Sequence, residues 1–180
     1  VSHITLDFDE AVKGCTKTLH VNRPDGSTER IEVKIPPGVH EGSKIRLRGK
    51  GKTSQFTGRT GDMYLIVHIR EHPYFKRQDS DIYIDVPISI TESVLGTKVT
   101  VPTIDGKATV SIPPGVSSGT KLRLGGKGII NPKTKKRGDQ YVVIKIVPPK
   151  NISQKGKELL EQLAKSEPYN PRDGLPWSNL

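Results

Sequence analysis

The chain is poor in sulfur, aromatics and long apolar runs. Its 180 residues include one cysteine, one methionine and one tryptophan, with aromatics at 5% and hydrophobic residues at 32%. The lone Cys15 excludes a disulfide within the chain, so a reducing, cytoplasmic setting is the expectation. The longest apolar run falls far short of the ~20 residues a membrane helix needs, so no span is expected. No secretory leader opens the sequence, and Val1 in first position marks it as an expected fragment. So thin an apolar share suits two small cores of roughly 75 residues each better than one large one.

Catalytic and metal signatures are also missing. No cluster of cysteine, histidine and acidic residues has metal-ligand spacing, and no cofactor is expected. Residues 68–72 spell H-x-x-E-H, but that chemistry needs both histidines on one face of a helix. Here His68 lies in a strand-like run and Pro73 follows His72, so the match is expected to be a decoy. Gly51-Lys52-Thr53 resembles the end of a phosphate loop, yet Arg46 stands where the first glycine belongs. The sequon at Asn151-Ile152-Ser153 has no secretory context. Asp7, Asp9 and Glu10 fit a solvated face and the first turn of a short helix. The chain is therefore not expected to be an enzyme.

Glycine (18), proline (14) and positive charge (net +10, pI about 9.7) are abundant. The first two imply many turns. The charge fits a soluble basic surface or a nucleic-acid partner. Its densest stretch, residues 133–137, sits in an expected loop, and a basic loop alone is weak support for phosphate binding.

The strongest signal is a repeat. Residues 35–51 read IPPGVHEGSKIRLRGKG, and residues 112–128 read IPPGVSSGTKLRLGGKG. Gly61-Asp62 returns as Gly138-Asp139 at the same offset. Each copy is expected to contain a strand, a short helical turn (residues 9–14 and 91–96), a hairpin and an apolar strand (residues 63–69 and 140–147). The last is apolar on both faces and reads as the central strand. Gly14 is expected in the left-handed role that closes the first turn. In residues 16–21, Lys17, Leu19 and Val21 share one face. The segment 71–81 reads as the connection between copies. The first hairpin is the longer of the two, and a difference between copies is a place to look for function. After Pro148-Pro149, Ser153 is a plausible N-cap for a helix to about Ser166. Its narrow stripe of Leu159, Leu160, Leu163 and Ala164 must bury against something, and Trp177 is a candidate anchor for the tail.

The expected fold is mostly β. Two tandem, similar, β-sandwich-like domains, each with a short helix, occupy 1–77 and 78–149, and a C-terminal helix and tail fill 150–180. Ile4, Leu19, Val21 and Leu65 come from three strands and would line one face if the first two strands pair next to the central one. Ordinary core is the plain reading of these residues. The alternative is an apolar groove beside an edge strand, which would bind extended peptide by strand addition.

Taken together, the duplicated PPGV-x-x-G-[ST]-K-[IL]-R-L stretch, the Gly-Asp pairs, residues 72–77 (His-Pro-Tyr-Phe-Lys-Arg) and Leu95-Gly96 with Ile104-Asp105-Gly106 resemble the C-terminal, substrate-binding region of DnaJ-type co-chaperones. The resemblance covers essentially the whole chain. It implies a first domain that carries an apolar groove for unfolded client polypeptide, at Ile4, Leu19, Val21 and Leu65 with Lys17 beside them. Lys17 matches the cation that meets the acidic C-terminal tail of the DnaK-type partner. The resemblance also implies a homodimer through the C-terminal segment, here Leu159, Leu160 and Leu163. The repeated C-x-x-C-x-G-x-G zinc units are absent, which places the sequence with the zinc-free or the curved-DNA-binding group, and makes DNA the alternative partner. The J-domain is absent too: His72-Pro73 is followed by Tyr74, so no stimulation of ATP hydrolysis is expected.

Overall fold

The computed structural model describes every residue, Val1–Leu180. Contacts divide it into two compact units, Val1–Ile146 and Val147–Leu180.

The first copy opens with β1 (Ser2–Leu6), whose Ile4 and Leu6 turn inward while His3 and Thr5 stay exposed. Helix α1 (Phe8–Lys13) follows. The Glu10 carboxylate reaches back to accept the Asp7 backbone N–H at 2.9 Å, which satisfies one of the donors a helix start leaves unpaired. Gly14 closes the helix at φ 75° and ψ 158°. That is the extended region at positive φ that only glycine occupies comfortably, not the left-handed geometry expected from the sequence. A side chain is excluded there on steric grounds as well: a Cβ on Gly14 would lie 2.9 Å from the Ile35 carbonyl oxygen and from the Pro37 nitrogen.

β2 (Cys15–Asn22) and β3 (Thr28–Ile35) form an antiparallel hairpin with Cys15 opposite Ile35 and Asn22 opposite Thr28. The turn is held by Asp25, whose carboxylate accepts the Ser27 N–H at 2.9 Å. Ile31, Val33 and Ile35 are buried from this hairpin. β4 (Lys44–Leu47) and β5 (Met63–Ile69) complete the copy. β5 is central, with β1 parallel on one side and β4 antiparallel on the other. It is buried on one face only: Met63, Leu65 and Val67 are enclosed, whereas Tyr64 is 42% exposed. A three-stranded sheet covered on one side by a hairpin has no second layer for the other face.

β6 (Lys76–Gln78) lies in the segment expected to be a simple connection. It adds an edge strand to β7 (Asp81–Ile88). The second copy then repeats the order with α2 (Ile90–Leu95), β8 (Thr97–Thr103), β9 (Gly106–Ile112), β10 (Lys121–Leu124) and β11 (Gln140–Ile146). Its main sheet runs β10-β11-β7-β6, and β8-β9 is a separate hairpin. The architecture is thus two mixed sheets, each faced by a two-stranded hairpin, and it is mostly β as expected.

The repeated residues build this frame. In each copy the glycine of the Pro-Pro-Gly turn donates its N–H to a carbonyl of the short helix: Gly38 to Ala11 and Gly115 to Ser93, both at 2.8 Å. In each copy an aspartate collects a strand arginine and a loop amide. Asp62 accepts Arg46 Nε at 2.6 Å and Gly49 N–H at 2.9 Å. Asp139 accepts Arg123 Nε at 2.8 Å and Gly126 N–H at 2.7 Å.

The two copies share α1. Ala11 packs into the first core with Ile4, Ile35 and Leu65, while Phe8 and Val12 pack into the second with Phe75, Ile82 and Ile144. Arg77 fastens the joint by donating to the Val39 carbonyl at 2.6 Å and the Gly38 carbonyl at 2.9 Å. At Gly38 the backbones touch, and a Cβ would come within 1.9 Å of the Ile130 carbonyl oxygen. We retain the division at residues 77 and 149 as a proposal about folding units; the packing of α1 and the pairing of β6 cross the first of these points.

In the second compact unit, α3 (Gln154–Ser166) is capped by Ser153, whose hydroxyl accepts the Gly156 N–H at 3.1 Å. Nothing on it is buried: Leu159, Leu160 and Leu163 are 52%, 45% and 52% exposed. Trp177, expected as an anchor, is 54% exposed. No helix is long and apolar enough to cross a membrane.

Candidate peptide-binding site

β2 pairs only with β3, so its second edge carries backbone N–H and C=O groups with no strand partner. Along it, exposure alternates residue by residue. Thr16, Thr18 and His20 are exposed, and Lys17, Leu19 and Val21 are half-buried. Leu19 and Val21 rest against the core cluster that contains Ile4 and Leu65. Period-2 alternation on an unpaired edge is the geometry that strand addition uses: main-chain bonds hold an incoming segment and alternate side chains grip it.

Of the five expected residues, Ile4, Leu19, Val21 and Leu65 meet in the first core cluster, and Lys17 shares the face of β2 with Leu19 and Val21. Lys17, Leu19 and Val21 present surface. Ile4 is 9% exposed and belongs to the core cluster that Leu19 and Val21 rest against. Leu65, expected on the same face, is 0% exposed within that cluster, so it can act on a ligand only through the residues above it. The pairing expected for the first two strands is corrected. β1 joins the central strand, but β2 lies in its own sheet and reaches that core by face packing.

The Lys17 charge is already engaged. Lys17 Nζ bonds Glu10 Oε1, with both side chains about a third exposed. This bond holds the Glu10 carboxyl below its ordinary range and raises the Lys17 ammonium above its own. Cys15, next to Thr16, is pushed up mainly by burial, which disfavours the reactive thiolate.

Beside Val21 lies a cleft of about 680 Å³ lined by Val21, Arg23, Pro24, Lys50 and Met63. Arg23 and Lys50 both hold Glu29 there and pull its carboxyl down. Sequence reasoning missed this cleft, because Lys50 and Met63 come from far along the chain. The only hint was the extra length of the first hairpin.

The histidines of the H-x-x-E-H stretch occupy separate surroundings. His68 Nδ1 meets Glu41 Oε1 at 2.7 Å and its Nε2 meets His3 Nδ1 at 2.9 Å. His72 instead packs at 5.2 Å from the Phe8 ring and accepts the Phe75 N–H at 3.1 Å. No three His, Cys, Asp or Glu side chains gather around a possible metal position.

A duplicated β-rich unit with an open, alternating strand edge defines a class by its fold: a tandem of two similar β-rich copies. The family model of the DnaJ C terminal domain matches residues 1–149, and the chain belongs to that family. It is 37% identical to a curved DNA-binding protein of Coxiella burnetii over 183 residues, covering 97% of this chain and 58% of that one. It is 41% identical to a chaperone protein DnaJ of Bacillus cytotoxicus, covering 85% of this chain and 42% of that one. A DnaJ chaperone of Acholeplasma laidlawii is 42% identical, with 83% and 40% covered. The chain thus spans between two fifths and three fifths of the length of these relatives.

Proposed function

We propose that this chain is the client-binding part of a co-chaperone. It takes up extended, unfolded polypeptide along the free edge of β2 and delivers it to a DnaK-type chaperone whose acidic C-terminal tail meets Lys17. The observation that carries the reading is the unpaired edge of β2 with Lys17, Leu19 and Val21 alternating along it. The mechanism is reversible burial of apolar side chains, aided by strand pairing, with no bond made or broken. Leu19 and Val21 are already half-buried, so each adds only about 0.5–1 kcal/mol on contact with a client, and the groove binds weakly and exchanges fast. That suits an early step of handover.

The apolar stripe Leu159, Leu160 and Leu163 supports a homodimer through the second compact unit, because a stripe this exposed gains by being covered. A cytoplasmic location accompanies the reading. The deciding experiment is a titration of the labelled chain with an extended apolar peptide. Saturable binding lost on Leu19→Ser supports the groove; absence of binding at millimolar peptide rejects it. Duplex DNA is the lesser reading. It rests on the net charge and on the name of the Coxiella relative, but the densest basic stretch is one loop in which Arg137 is already paired with Asp105. Affinity that falls steeply with salt would be its signature.

A further inference from the structure

We propose that Glu10 is a built-in competitor at Lys17, tuning the groove against acidic ligands. The proposal rests on the reading above that Lys17 receives an acidic tail, and it adds how that contact is regulated. Glu10 is fixed from two sides. One carboxylate oxygen accepts the Asp7 N–H at 2.9 Å and the other takes Lys17 Nζ. An acidic tail and Glu10 offer the same chemical group to one ammonium, so an incoming carboxylate meets a cation that is already neutralised.

The second copy serves as an internal control. There Glu92 plays the same helix-start role and accepts the Ser89 N–H at 3.0 Å. The position corresponding to Lys17 is Val99: Lys17 faces Val33 in the first hairpin, and Val99 faces Val110, the repeat equivalent of Val33, in the second. The glutamate thus belongs to the fold in both copies, whereas the lysine opposite it occurs only in the copy with the candidate groove. Helix capping alone does not call for Lys17, so the ion pair is a feature of the groove and not of the helix.

The test uses Glu10→Gln, which keeps a side chain that can still cap the helix. Fluorescence anisotropy compares a short peptide ending in several Glu and Asp residues with its Gln/Asn counterpart, on the 180-residue chain. We expect Glu10→Gln to tighten the acidic peptide about 2- to 5-fold at low salt, the range of an exposed ion pair, with the gain shrinking at high salt and absent for the neutral peptide. Lys17→Ala should weaken the acidic peptide, and adding Glu10→Gln to it should restore nothing. If Lys17→Ala weakens binding while Glu10→Gln matches the parent, the competitor role is overturned and the tail reading stands. If Lys17→Ala changes nothing, both fall, and the apolar-peptide titration still judges the groove separately. Equal tightening of both peptides also overturns the proposal.

Discussion

Replacing Leu19 and Val21 together by serine strips the apolar wall of the candidate groove while leaving Ile4 and Leu65 in place. Both side chains are partly covered already, so each has only a fraction of its surface left to bury against a client. At ~25 cal/mol per Å² that fraction is worth about 0.5–1 kcal/mol per residue, or about 1–2 kcal/mol for the pair. The double variant should therefore bind an extended apolar peptide about 5- to 30-fold more weakly. It should also lose most of its ability to delay aggregation of a denatured client. The assay is peptide titration by fluorescence anisotropy, with a urea melt on the same sample to establish folding. Leu65→Ser is the contrasting variant. Leu65 is fully enclosed, so its loss should cost roughly 3 kcal/mol or more of stability through a cavity and a buried hydroxyl. A folded Leu19→Ser/Val21→Ser protein that binds within 2-fold of the parent would refute the assignment of the groove to β2.

Gly38→Ala should lower the melting temperature and loosen the joint, since the new methyl meets the Ile130 carbonyl oxygen; limited proteolysis near residues 71–81 reads the loosening. Asp62→Asn and Asp139→Asn should each destabilise the loop they anchor, with faster amide exchange at Gly49 and Gly126 respectively, and little effect on the other copy. Glu10, Glu29, Asp62 and Asp139 all ionise more readily when folded, below ordinary values of 4.5 for glutamate and 3.8 for aspartate. A carboxyl depressed in this way stabilises the fold above its ordinary value and loses that contribution as pH falls through the folded one. Urea midpoints should then vary little from these groups between pH 7 and 5 and fall as pH drops below about 4.5. Truncation after Pro149 should turn a dimer into a monomer by light scattering; a truncated chain that stays dimeric removes α3 from the interface.

The frame was legible because its signals are local. Period-2 patterning placed β2 to within a residue at each end, and Ser153 marked the start of α3. The Pro-Pro-Gly repeat set the duplication. Elements that depend on partners far along the chain were not legible. β6 is three residues of charged and polar side chains and exists only because the edge of β7 accepts it. The need for glycine at position 14 comes from the close approach of Ile35 and Pro37, which no local pattern announces. For the site, alternation put Lys17, Leu19 and Val21 on one face. Only tertiary packing separates Leu65, deep in the core, from Leu19 at the surface, because both are apolar residues in strands. Glu10 read as a solvated acid of a helical turn, and its bond to Lys17 follows from the way β2 folds back past α1.

Helix α1 divides its side chains between two cores, and this has a consequence for synthesis. Phe8 and Val12 leave the ribosome long before Ile82 and Ile144, members of the buried cluster they join. At 5–20 residues per second the wait is of the order of ten seconds. During that interval the nascent first copy displays an aromatic ring and a valine whose buried cluster is incomplete. The newly made chain thus offers the kind of apolar segment that a chaperone binds, until its own second copy arrives to cover it.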